Sequence, residues 1–222
     1  MKHVVATLIR LALFALVCFI FSLAAGAALP GALNLAVVVA GVWLAFPLTW
    51  IGRKFLDRRP TAARAAWTTT LVHVGVGLTF GVPLVRAIVT HRHWSGWTLP
   101  VPSRIGLALV LVTGAACSLI VLNLALRGLG APAIALSRRL ASDWCYAWTR
   151  NPMVLAALAL FLSLGIWFRS ALFTLWVIAV FAPALLFFVK VFEERELELR
   201  FGAPYLEYKA RTPMLLPRRP GR

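Results

Sequence analysis

The acidic residues of this chain are few and crowded. Seven stand against 23 basic ones, and five of the seven, Glu193, Glu194, Glu196, Glu198 and Glu207, fall within fifteen residues near the C-terminal end. Glu193 and Glu194 directly follow the apolar stretch that closes on Val189-Lys190-Val191-Phe192. A carboxylate at the end of a buried pass needs a partner, and ionisable groups at that depth mark functional sites by default. Roughly forty residues upstream, Arg150-Asn151-Pro152 closes a polar segment. Arginine offers a fork that matches a carboxylate with two hydrogen bonds. Proline suits the first position of a helix, whose free amides also favour an anion. Arg150 and Glu193 are therefore the candidate catalytic residues, with either a structural ion pair or a site for a charged small molecule as the outcome.

What must position these groups is a hairpin. Val154–Phe168 and Ala171–Phe192 are apolar runs broken only by Arg169-Ser170. One pass of a bilayer takes about twenty residues, so this interval crosses and returns. The two polar segments then emerge on the same face of the membrane, within reach of each other. Upstream, Val4–Leu29, Ala32–Ile51, Ala65–Val89 and Arg104–Leu126 are four further apolar runs, joined by Pro30-Gly31, Gly52–Arg64 and Thr90–Ser103, with Arg127–Arg150 leading into the hairpin. The expectation is an all-α polytopic membrane protein of about six transmembrane helices and a helical tail. Residues 1–126 form an N-terminal four-helix region, and residues 127–222 hold the hairpin 153–192 and the tail 193–222.

Composition agrees. The chain is 61% hydrophobic and 14% charged, with a mean hydropathy of +0.86, well outside the range of soluble domains. The net charge of +16 does not indicate a nucleic-acid partner, because the basic residues lie between apolar runs. Six passes place Lys2, Arg10, five basic residues at 53–64, four at 127–150 and eight from Lys190 onward on one side, against Arg86, Arg92, Arg104 and Arg169 on the other. The positive-inside rule then sets both termini in the cytoplasm, in a bacterial inner (plasma) membrane. Cys18, Cys117 and Cys145 show no metal-ligand spacing, and His91-x-His93 has no further ligands nearby, so no metal is expected. His73 reads as a packing histidine. Pro183 is placed to bend the last pass.

Tyr146-Ala-Trp-Thr-Arg-Asn-Pro-Met153, followed by Glu193-Glu-Arg-Glu-Leu-Glu-Leu-Arg-Phe-Gly-Ala-Pro-Tyr-Leu-Glu-Tyr208, resembles the isoprenylcysteine carboxyl methyltransferases and phospholipid methyltransferases. Their pattern is Gly-Pro-Tyr-Arg-Tyr-x-Arg-(His/Asn)-Pro-x-Tyr, a hydrophobic hairpin, then Glu-Glu-x-x-Leu-x-x-x-Phe-Gly-x-x-Tyr-x-x-Tyr. The second block agrees at every fixed position. The first departs at Trp144, Cys145, Ala147, Trp148 and Val154, where the pattern has Gly, Pro, Arg, Tyr and Tyr. The resemblance covers about 80 residues and implies an integral membrane methyltransferase that uses S-adenosylmethionine on a lipid or other hydrophobic acceptor. It also implies a cofactor site drawn from Tyr146, Trp148, Arg150, Asn151, Pro152, Met153, Glu193, Glu194, Tyr205 and Tyr208. Tyr146 and Trp148 either stack on an adenine or anchor the chain at the interface. The same choice holds for Tyr205 and Tyr208, which follow a helix break at Gly202-Ala-Pro204. Glu196, Glu198 and Glu207 are expected on a solvated amphipathic face. Two other functions fit the architecture: a membrane reductase using NADPH, and a non-enzymatic transport or assembly protein.

Overall fold

The computed structural model describes residues 2–58, 60–94, 96–126 and 139–219, and among them every regular element is a helix. In chain order these are α1 (Lys2–Gly26), α2 (Gly31–Arg58), α3 (Ala62–Thr90), α4 (Ser103–Leu126), α5 (Pro152–Trp167), α6 (Ala171–Phe201) and α7 (Ala203–Arg211). α2, α4, α6 and most of α3 are long and apolar enough to cross a membrane. Ala12–Gly26 of α1 and the whole of α5 are shorter apolar helices. The protein is thus an all-α polytopic membrane protein.

Local chemistry sets the ends. Pro152 occupies the first turn of α5, with Asn151 at its N-cap. Ser170 caps α6, its hydroxyl accepting from the Phe173 amide at 3.1 Å. Gly202, at φ 58, takes the left-handed conformation between α6 and α7 that a side chain would strain. The 52–58 part of the first polar connection is helical, continuing α2 beyond its apolar run. Pairs one turn apart support it, with Arg53 on Asp57 and Lys54 over the Trp50 ring. α6 likewise runs past Phe192. At 1.5 Å per residue it is about 46 Å long against a hydrocarbon core of about 30 Å, so its final turns leave the apolar layer.

Pro183 does not simply kink α6. The backbone widens into a π-helical turn at Val177–Phe181 and again at Val189–Glu193. In the second, the Glu194 amide donates five residues back, to the Val189 carbonyl.

The chain forms two compact units. The first comprises the described parts of 1–93 together with 178–196; the second, those of 94–132 and 136–177 together with 197–219. In the first, glycines allow close helix approach. A Cβ on Gly41 would stand 2.8 Å from Pro83, and one on Gly75 would stand 2.7 Å from Leu48. Arg86, 4% exposed, donates to Asn34 Oδ1 at 2.7 Å and to the Ala24 and Ala27 carbonyls at 2.9 and 2.6 Å. The guanidinium supplies donors that the C-terminal end of α1 otherwise lacks. His73 packs edge-on against Phe188 at 5.4 Å, and its Nδ1 lies 2.9 Å from the Thr69 carbonyl.

In the second unit α4 lies along α5. Gly106 permits this, since any Cβ there would overlap the backbone of Trp167. The α5–α6 turn is tied to the segment before α4 by Leu99 N–H to Arg169 O at 2.9 Å and Ala171 N–H to Trp97 O at 3.0 Å.

Candidate functional site

Residues 148–151 are gripped by the C-terminal tail within the second unit. The Arg150 amide donates to Pro213 O at 2.9 Å, and its Nη1 donates to Lys209 O at 3.1 Å. Thr149 Oγ1 and Asn151 Nδ2 both donate to Met214 O, at 3.2 and 2.9 Å. The Arg218 amide returns to Trp148 O at 3.0 Å. Arg150 and Asn151 of the Arg-Asn-Pro motif thus help to hold residues 209–218. Thr149 belongs to this arrangement although its type gave no sign of it, because a backbone carbonyl leaves no trace in the sequence of its donor.

Tyr205 and Tyr208 share one face of α7, with ring centroids 6.2 Å apart, and both are buried. The Tyr208 hydroxyl donates to the Tyr146 carbonyl at 2.7 Å, joining tail to motif. Burial pushes the Tyr208 phenol well above its ordinary value, against the opposing pull of Arg150. Burial also raises the Cys145 thiol, with Asp143 adding to the effect and the Cys145 and Tyr146 amides opposing it. Trp148 stays largely exposed, Met153 is partly buried and Pro152 buried. Trp144 stands where the methyltransferase pattern has glycine, and its φ is 52, in the region glycine favours.

Glu193 and Glu194 lie in the first unit, at the second π turn. Glu193 is partly buried and Glu194 buried. Glu196 is buried as well, against the expectation of a solvated face. Phe192 beside them has no exposed surface, stacks on Phe188 at 5.7 Å and packs near Gly52. Arg53 reaches this turn from α2 and donates from Nη1 to Val191 O at 2.9 Å. Its Nε donates to Asp57 Oδ2 at 2.6 Å, and Arg195 Nε donates to Asp57 Oδ1 at 2.9 Å. The signal for this cluster was present in the sequence, since Asp57 is the single acid among the basic residues of 53–64.

Every regular element among the described residues is a helix, and four stretches are long and apolar enough to cross a membrane, which defines the class: a polytopic membrane protein. Within that class, residues 102–203 match the model of the phospholipid methyltransferase family. The match takes in α4, the Arg150-Asn151-Pro152 motif, the α5–α6 hairpin and Glu193–Phe201. No curated protein and no solved structure matches the chain.

Proposed function

We propose that this protein transfers a methyl group from S-adenosylmethionine to a hydrophobic or lipid-like acceptor at the cytoplasmic face of a bacterial inner membrane. The observation that carries the reading is the family match over residues 102–203, which includes Arg150-Asn151-Pro152 and Glu193-Glu194. The donor set suits the cofactor: a guanidinium and an amide for its carboxylate, and carboxylates for its ribose hydroxyls and positive centres. When bound, S-adenosylmethionine would supply an electrophilic methyl carbon and a neutral thioether as leaving group.

The chain's own task is to bind, orient and exclude water, which suffices for a displacement of this kind. Arg150 and Asn151 orient the carboxylate end, and Glu193 and Glu194 meet the hydroxyls and cationic groups. Trp148, with its exposed ring, stacks on the adenine. Tyr146, Pro152, Met153, Tyr205 and Tyr208 shape and support the motif. Residues 1–126 admit the acceptor from the bilayer, which gives a small enzyme its reason to be embedded there. A carboxylate or thiolate acceptor needs no base, whereas an amine must release a proton. The test is transfer of labelled methyl from S-adenosylmethionine to extracted membrane lipids by the purified protein in liposomes. Label in the organic phase supports the reading, and turnover of NADPH without it would overturn it.

A further inference from the structure

The second π turn of α6 needs something to hold it. A π turn admits one residue more than the α-helical ladder expects, and such turns cluster at functional positions. Relaxing it to α-helix would rotate everything beyond it by about 100°, one residue's step around a helix. Glu193 closes this turn and Glu194 follows it, so the turn decides which way both carboxylates point.

One side chain, Arg53, reaches the turn from α2 within the same unit, and Asp57 and Arg195 pair beside it. Arg53 is shared between two acceptors, Asp57 Oδ2 at 2.6 Å and the Val191 carbonyl of the turn at 2.9 Å. Asp57 is in turn shared between Arg53 and Arg195, which lies one residue past Glu194. Gly52 lets α2 come close enough for this reach: a Cβ there would stand 2.7 Å from Val72 and 2.9 Å from Phe192. The side chains of Arg53, Asp57 and Arg195 are 33%, 42% and 28% exposed. Ion pairs so accessible to solvent add little to stability. Their consequence is geometric, because the guanidinium's rigid fork fixes the carboxylate and the carbonyl relative to each other.

We infer that Arg53, braced by Asp57 and Arg195, is a positioning residue: it holds the π turn of α6 and so aims Glu193 and Glu194 at the methyl donor. The role in donor binding rests on the methyltransferase reading; the hold on the turn does not. Lysine keeps the charge of Arg53 but cannot engage both acceptors in one fixed geometry, so Arg53→Lys should behave like Arg53→Gln.

The experiment combines two readouts on full-length protein in detergent. Single cysteines at 190, 194, 196 and 197, in a background lacking the native three, are labelled with a water-soluble maleimide, and S-adenosylmethionine affinity is measured by calorimetry on separate protein that keeps residues 190–197 native. With Arg53 intact, 194 and 196 should label slowly. In Arg53→Lys and Arg53→Gln their labelling should rise several-fold, with 190, already exposed at the start of the turn, unchanged as the control. Donor affinity should fall by about ten- to a hundredfold, the scale of a misplaced binding group, while the melting temperature stays close to wild type. Asp57→Asn should move both readouts in the same direction, and serves if an Arg53 variant does not fold. Unchanged labelling in all three variants, whatever happens to melting, would overturn the inference. If wild-type protein binds no S-adenosylmethionine, the methyltransferase reading fails, and labelling alone then decides whether Arg53 holds the turn.

Discussion

Tyr208→Phe removes one oxygen and little else, which makes it a clean probe of how the tail is fastened. The Tyr208 side chain is 3% exposed, and its hydroxyl donates to the Tyr146 carbonyl at 2.7 Å. Phenylalanine fills the same space and leaves that carbonyl without this donor, at a cost of about 1–2 kcal/mol. For a chain of this length, 1 kcal/mol corresponds to about 2–4 °C at the midpoint, so melting should fall by about 2–8 °C. pH gives a second, sharper reading. Burial holds the phenol well above its ordinary value in the folded state, so the folded form keeps a proton that the unfolded form surrenders above pH ~10. The contribution of Tyr208 is therefore complete below that pH and is lost as the medium becomes more alkaline. The gap between wild type and Tyr208→Phe should narrow above pH ~10. Thermal unfolding followed by circular dichroism in detergent, from neutral pH upward, measures both. A midpoint shift below about 1 °C at neutral pH, or a gap that widens in alkali, would refute the reasoning.

Other outcomes follow from the same structure. Trp144→Gly relieves a left-handed residue that is 52% exposed and should stabilise the fold by about 1 kcal/mol, seen as a higher melting temperature. Gly106→Ala forces a methyl into the Trp167 backbone and should destabilise the α4–α5 pair by about 1–3 kcal/mol in the same assay. Thr149→Val combined with Asn151→Ala strips two donors from the Met214 carbonyl, and limited proteolysis should then cut residues 212–219 faster. Cys145, its thiol raised by burial, should react slowly with maleimide at neutral pH compared with unfolded protein, and faster as pH rises.

The helices were legible because hydropathy and length decide them, and the two punctuating motifs, Asn151-Pro152 and Gly202, begin and end helices where their chemistry requires. The α5–α6 hairpin followed from arithmetic on its length. The π turns were not legible: Pro183 signalled a disturbance in α6, but the form it took depends on how the helix packs. Nor was the use of Thr149, Arg150 and Asn151 as donors to the tail, since carbonyl acceptors are common to all residues. In the sequence Arg86 reads only as a charge on one side of the membrane, yet it serves the carbonyls at the end of α1. Glu196 was expected on the solvated face of an amphipathic helix; being buried, it shows that the polar end of α6 is packed along more of its surface than hydropathy alone suggests.

The claim on which the functional account depends is that these polar motifs bind a methyl donor. Calorimetric titration of the purified protein in detergent with S-adenosylmethionine tests it most directly. Saturable binding should appear and should weaken by at least about tenfold, equivalent to 1.4 kcal/mol, in both Arg150→Ala and Glu193→Gln. Absence of binding to the wild-type protein, or affinity untouched by either substitution, would contradict it.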